Sequence, residues 1–361
     1  MTSMITNNSA TVALQTLRSI NDQLETTNNR VSTGKKINGA SDGAGYWTIS
    51  TTLTSDNSAL SAVSDAMALD QNAVTTASSG VEQVLTYLDT IKSSLAASVS
   101  STADRGANQD DIDAALTNIK TAATNSVSGS AGDNWLSVDS GSTTFTEERN
   151  LLSSFSRSGE TVSVGTTALD TGSFRLYDSN AAGNATSTTA TSLATVATNA
   201  SFTDGTNGAV TVTLSTTAAD VKGFMDSVFT ISYTKADGST GNTWTGSVAD
   251  IDLTDIDGSG TAATDSDVDL IQAFTKLVDA TISQVTSGGS KLGSTSSRLE
   301  SQQTFASSLI DLNESSIGTL VDADMEEEST RLKALQTQQS LAIQSLSIAN
   351  SSSQNVLQLF Q

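Results

Sequence analysis

The 361-residue chain has no cysteine, no histidine and no proline, and only 4% of its residues are aromatic. Without cysteine there is no disulfide framework and no thiolate nucleophile. Without histidine the usual zinc sites and the serine–histidine–aspartate arrangement are gone too. Serine–lysine and paired-carboxylate chemistries pass this filter. Positive charge is scarce: 17 Lys and Arg stand against 39 Asp and Glu, a net charge of −22. The chain therefore lacks the basic face that neutralises phosphates, which argues against a general nucleic-acid binder. No apolar run approaches the roughly 20 residues of a membrane-spanning helix, so no membrane role is expected. The N-terminal stretch MTSMITNNSATVALQTL lacks a basic segment followed by an apolar one, so it does not read as a cleavable signal peptide.

What is there is mostly periodicity. Leu53, Leu60, Met67, Val74, Val81, Leu88 and Leu95 recur every seven residues, and Val63, Ala77, Val84 and Ile91 fill most positions three further on. This a/d stripe predicts a helix of about fifty residues, roughly 75 Å long, too long for one compact domain and suited to a coiled-coil rod. A turn at Asp104-Arg105-Gly106-Ala107 precedes a shorter predicted helix near 109–126, with Asn108 as its N-cap and Ile112, Leu116 and Ile119 on one face. Heptads return with Ile271, Val278, Val285, Leu292, Leu299 and Ala306, where Gly288, Gly289 and Gly293 suggest a kink.

Both ends are amphipathic. The first helix carries Ala10, Leu14, Leu17, Leu24 and Val31, with Asn21 and Asn28 intruding as register-setting amides. The last carries Met325, Leu332, Leu335, Ala342, Leu346, Ala349, Val356 and Phe360, plus a second stripe of Leu341, Ile343, Ile348, Leu357 and Leu359. Apolar residues on two sides cannot be hidden by one partner helix. Glu326-Glu327-Glu328 reads as favourable charge at a helix start.

From about 133 to 264 the pattern changes to strand-like pieces, ETVSVGT, FRLYD, AVTVTLS and VFTISYT, with a hairpin turning near Asp237-Gly238. The stretch SNAAGNATSTTATSLATVATNAS is poor in large apolar residues and reads as low-complexity. Seven aspartates and no basic residue lie between Ala249 and Asp269, a solvated acidic run. Within it, Asp255, Asp257 and Ser259 match the start of a calcium loop. Its closing glutamate is replaced by Ser266, so a solvated loop is the better reading. The fold class is therefore mainly α, an antiparallel helical rod made by both termini, with a solvent-exposed insert containing β-hairpins. The expected division is 1–45 with 318–361 as an inner pair, 46–178 with 265–317 as a rod, and 179–264 as an outer domain.

Residues 30–50, RVSTGKKINGASDGAGYWTIS, pack Gly34, Gly39, Gly43 and Gly45 beside Lys35 and Lys36. The stretch lacks the strand, spacing and hydroxyl residue of a phosphate-binding loop. A plain flexible linker is the simpler alternative. The preferred reading is a connector that bends at its glycines, anchors through Ile37, Tyr46, Trp47 and Ile49, and has polar groups satisfied only among neighbouring copies.

This stretch, the heptad helices and the terminus DADMEEESTRLKALQTQQSLAIQSLSIANSSSQNVLQLFQ together resemble bacterial flagellin, over roughly 1–130 and 268–361. The Tyr46-Trp47 pair gives it the flavour of the rhizobial, alphaproteobacterial branch. The resemblance implies a non-enzymatic, cofactor-free subunit that self-assembles into the flagellar filament, alone or with other flagellins. It further implies export unfolded through the flagellum's own apparatus, contact with an export chaperone, the filament cap and hook-junction proteins, and an extracellular location. Absence of proline and cysteine suits a chain that refolds at a distant tip, since slow isomerisation and stray disulfides are avoided. Ala40-Ser41-Asp42-Gly43 departs from the pattern plant receptors read, and Leu88–Leu95 keeps only Lys92 where animal receptors meet arginines. Weak recognition by both is expected. The alternatives are a hook–filament junction protein and, remotely, a carboxylate-pair hydrolase in the insert, whose acidic residues lack the aromatics of a sugar groove.

Overall fold

The computed structural model describes residues 7–100, 103–128, 133–158, 161–184, 186–204, 208–215, 217–234, 240–254 and 265–358. In chain order the elements are α1 (Asn8–Thr33), α2 (Ala40–Ser98), α3 (Arg105–Asn125), β1 (Val127–Ser128), β2 (Asp133–Asn134), β3 (Ser137–Val138), β4 (Glu148–Ser158), β5 (Thr161–Asp170), β6 (Tyr177–Asp178), α4 (Thr188–Ala200), β7 (Phe202–Asp204), β8 (Gly208–Leu214), β9 (Phe229–Thr234), β10 (Thr240–Gly246), α5 (Asp265–Val321) and α6 (Met325–Gln358). They form two compact units. One takes the chain up to Ala62 and again from Ser307, and the other is Val63–Ala306.

In the first unit α1 and α6 run antiparallel. The Asn7 side chain caps α1 by accepting from the Ala10 N–H at 3.1 Å and donates to the Ala349 carbonyl at the far end of α6. Gly34 ends α1 in the left-handed region at φ 70°, with its N–H on the Arg30 carbonyl. A glycine meets that conformation without the steric cost a Cβ brings. Asp324 starts α6, its carboxylate accepting from the N–H groups of Glu326 and Glu327. The three glutamates therefore sit in the first turn, where the helix dipole favours them.

The second unit is built on the heptads. Met67, Val74, Val81, Leu88 and Leu95 of α2 are buried, as are Ile271, Val278, Val285, Leu292 and Leu299 of α5. The two helices run antiparallel, linked by Gln71 to Ser296 and by the Lys92–Asp279 ion pair. Ile112, Ala115 and Ile119 of α3 join the same core. That helix begins earlier than the sequence suggests: Asp104, not Asn108, is the N-cap, accepting from the Ala107 N–H at 3.1 Å. The aspartate sits one residue ahead of the first helical residue, and the predicted turn is the helix's first turn.

The β4–β5 hairpin is antiparallel, with a bulge between Leu152 and Ser154. Asp70 of α2 accepts from the Leu152 N–H at that bulge, at 2.7 Å, and Arg298 of α5 donates to the Thr167 hydroxyl. A four-stranded antiparallel sheet in the order β10-β9-β8-β7 presents Val210, Val212, Phe229 and Ile231 to the core. Trp244 meets Phe274 of α5 edge to face, with centroids 4.8 Å apart.

Four expectations need correction here. The low-complexity stretch at 179–201 contains α4, capped by Ser187, with Leu193, Val196, Ala197 and Ala200 buried. Small residues suffice because the helix lies close against the sheet. Only Tyr177–Asp178 of FRLYD is strand, and Phe174, Arg175 and Leu176 are wholly buried beside it. Gly288 and Gly289 do not break α5. A Cβ on Gly288 would lie 2.6 Å from the Ser173 carbonyl oxygen, and one on Gly289 would press on Val81. Their task is close approach rather than bending. Finally, the insert is not merely outside the helices, since its residues share one continuous core with α2, α3 and α5. The expected hairpin turn near Asp237-Gly238 lies outside the described residues, although β9 and β10 pair on either side of it.

Buried polar groups pin that core. Arg175 has no exposed surface. Its guanidinium lies 3.5 Å from the equally buried Asp178, donates to Ser187 and Thr189, and faces the Phe145 ring. Gln109 of α3 donates to the Ile251 carbonyl and accepts from the Leu253 N–H, as a strand neighbour would. Burial raises the Asp226 carboxyl above its ordinary range, against the N–H groups of Asp178 and Gly223, which lower it.

Candidate assembly surface

Heptad packing between α1 and α6 buries one narrow seam. Ile20 and Thr27 of α1 and Leu335 of α6 are buried, while Leu17, Leu24, Val31, Leu332, Ala342, Leu346 and Ala349 are half-buried. Leu14 is exposed, and so is Met325. Val356 belongs to α6, and Phe360 lies outside the described residues. The reading of α1 missed Ile20 and Thr27. They follow Leu17 and Leu24 at three residues, the d positions of the same heptad, and that spacing could have located them.

Polar contacts fix the register of the pair. Gln339 donates to Asn21 at 2.8 Å. Arg30 meets Glu328 at 2.9 Å, and Arg331 reaches the same carboxylate at 3.5 Å. Glu328 is buried, so its charge is balanced by two guanidiniums rather than by water. Asn28 is exposed, a correction to its expected burial at a stripe position.

Among the described residues, Leu341, Ile343 and Ile348 of the second apolar stripe are left exposed. Ile348 is 69% exposed, Leu341 59% and Val12 57%, and Ile343 stands open beside them. Val12, Ala13, Ile20, Leu341, Ala342 and Ala349 line an open cleft of about 670 Å³ along the pair. Apolar surface of this extent stands out on a chain so acidic.

The glycine-rich stretch differs from its expected form. The segment between α1 and α2 is short, and Gly43, Gly45, Tyr46 and Trp47 lie inside α2, which departs from helical geometry at Gly43. Its backbone groups are satisfied within the chain. The N–H groups of Lys36 and Ile37 donate to the Val321 carbonyl, that of Ala323 to the Gly34 carbonyl, and those of Asn38 and Gly39 to Asp42. Antiparallel pairing of Lys35 with Asp322 explains why no neighbour is needed. Ile37 is buried as an anchor, whereas Tyr46, Trp47 and Ile49 are exposed.

Asp255, Asp257 and Ser259 lie outside the described residues. Among the described residues no group of three or more acidic side chains is placed to hold a metal, and no helix is long and apolar enough to cross a membrane.

Comparison with known proteins agrees with this arrangement of helices. The family described as the bacterial flagellin N-terminal helical region matches residues 4–138, and the bacterial flagellin C-terminal helical region matches 275–360. Over the whole of both chains, the sequence is 36% identical to Flagellin C of Rhizobium meliloti strain 1021 and 36% to Flagellin A of Rhizobium meliloti. Against the flagellin of Brucella melitensis biotype 1 the identity is 35%, again over both full lengths. With both terminal helical regions matched and alphaproteobacterial relatives aligned end to end, the chain belongs to the bacterial flagellin family.

Proposed function

We propose that this flagellin enters the filament through the α1–α6 pair, whose exposed stripe of Val12, Leu14, Leu341, Ile343 and Ile348 is covered by other copies. As a flagellin the chain is a structural subunit of the flagellar filament. The observation that carries the contact assignment is the apolar surface left open on both helices after they have paired. In this reading 1–45 with 318–361 form the innermost layer, 46–178 with 265–317 the next, and 179–264 the outer domain. The rod heptads (Leu53, Leu60, Met67, Val74, Val81, Leu88, Leu95, Ile271, Val278, Val285, Leu292, Leu299) hold each subunit together rather than join it to the next, since all but the half-buried Leu53 are already buried within the chain.

Partners beyond the chain's own copies follow from the same role: other flagellins, an export chaperone, the filament cap and hook-junction proteins. Export proceeds without a cleaved signal peptide, and recognition by plant and animal flagellin receptors is weak. No reaction is assigned to the chain, whose role is structural.

The test is seeded polymerisation. Purified monomer receives short filament seeds or a precipitating salt, and the product is sedimented and viewed by negative-stain microscopy. Long helical filaments are the expected result, and Leu14→Asp abolishes them while the second unit stays folded by circular dichroism. Normal filaments from Leu14→Asp would overturn the contact assignment. Monomer that stays soluble throughout would favour the hook–filament junction role.

A further inference from the structure

Asn38 and Gly39 form an Asn-Gly step between α1 and α2. Such a step is reactive because the glycine nitrogen, unshielded by a side chain, can reach the preceding carboxamide carbon. Here Asn38 is exposed, and its carboxamide makes no hydrogen bond to any described residue. The backbone is held differently. The N–H groups of Asn38 and Gly39 both donate to Asp42 Oδ2, at 3.0 and 3.1 Å, and the Asp42 N–H donates back to the Gly39 carbonyl at 3.1 Å. Asp42 thus closes the turn that opens α2, ahead of the non-helical Gly43, with its carboxylate reaching back to the Asn38–Gly39 step.

We propose that Asn38 is a self-modification site, converting through a succinimide to aspartate or isoaspartate, and that the Asp42 cap holds it in check. In the reaction the Gly39 nitrogen gives its proton to solvent base and bonds to Asn38 Cγ, and the side-chain nitrogen leaves as ammonia. Water then opens the five-membered ring at one of its two carbonyls, so that asparagine and water become an acidic residue and ammonia. No oxidant or cofactor enters.

The cap opposes the first step. While the Gly39 N–H donates to Asp42, its proton is engaged. The neighbouring carboxylate also disfavours an amide anion. Opening the first turn of α2 removes the restraint. The product matters structurally because Asn38 borders a cleft shared with Lys35, Ile37, Trp47 and Val321. Isoaspartate would lengthen the backbone next to the bonds from Lys36 and Ile37 to Val321.

Mass-spectrometric peptide mapping of the full chain, kept in native buffer and in guanidinium chloride, reads the conversion at residue 38. Folded wild type is expected to retain Asn38 while the denatured chain converts it. Folded Asp42→Ala is expected to convert several-fold faster than wild type. Asp42→Gln keeps an acceptor at the third position without the charge, so it is expected to convert faster than wild type but clearly slower than Asp42→Ala. Equal rates in folded and denatured wild type, Asp42→Ala at the wild-type rate, or Asp42→Gln as fast as Asp42→Ala would each overturn the proposal.

Discussion

Single residues do their most specific work where backbone and side chain meet. Asp70 takes the Leu152 N–H beside the β4 bulge, and burial raises its carboxyl above the ordinary range while that hydrogen bond lowers it. A raised carboxyl means that the charged form is the costly one in the folded state. Stability from this group is therefore present at low pH and lost as pH rises through the folded value, above the ordinary 3.8. Asp70→Asn, which keeps an acceptor and removes the charge, is expected to melt no lower than wild type at neutral pH, with its relative advantage shrinking as pH falls. Asp70→Ala orphans the N–H and costs about 1 kcal/mol or more. Thermal melts across pH separate the two. Gly288 is the other decisive position. A Cβ there meets the Ser173 oxygen at 2.6 Å and Phe174 Cβ at 2.7 Å, so Gly288→Ala should destabilise the second unit by about 1–3 kcal/mol in urea titrations. Its glycine was visible in the sequence, but its role was not, because the atoms it admits are more than a hundred residues away.

Elements were the most legible level. A heptad stripe repeated over α2 and α5 specifies both the helix and the face it buries, since spacing and burial have one cause. Leu88 is fully buried in that stripe, and Leu88→Ala is expected to cost about 2–5 kcal/mol of unfolding free energy by chemical denaturation. The same logic failed for α4. Its Thr- and Ala-rich stretch has weak periodicity, and its helicity rests on the Ser187 cap and on packing of Leu193 and Val196 under the sheet. At the glycine-rich connector, expected to bend at its glycines, the chain does turn at Gly34, in the left-handed region, and at Gly43, where α2 departs from helical geometry, but Gly45, Tyr46 and Trp47 are helical rather than part of a connector.

For the whole molecule the decisive quantity is apolar surface that one chain cannot cover. Ile343 and Ile348 are exposed, so their replacement should leave monomer stability within about 0.5 kcal/mol. In a filament the same positions would be buried. The double variant Ile343→Ser, Ile348→Ser is expected to melt like wild type and to polymerise poorly or not at all from seeds. Wild-type polymerisation by this variant would remove the exposed stripe from the contact. A large drop in melting temperature would instead place those side chains in the subunit's own core.

By itself the sequence determined the class of this protein: no cysteine or histidine chemistry, long helices at both ends, a β-containing middle, and more apolar stripes than one chain can pair. Those properties are local or periodic, and period is written in the order of residues. Only the tertiary structure decided that Glu328 is buried between two arginines. Likewise only the fold showed that Gly288 admits a distant backbone, and that the insert shares its core with the rod helices. Each of these depends on a neighbour supplied from far along the chain, and no spacing within a segment encodes what will lie against it.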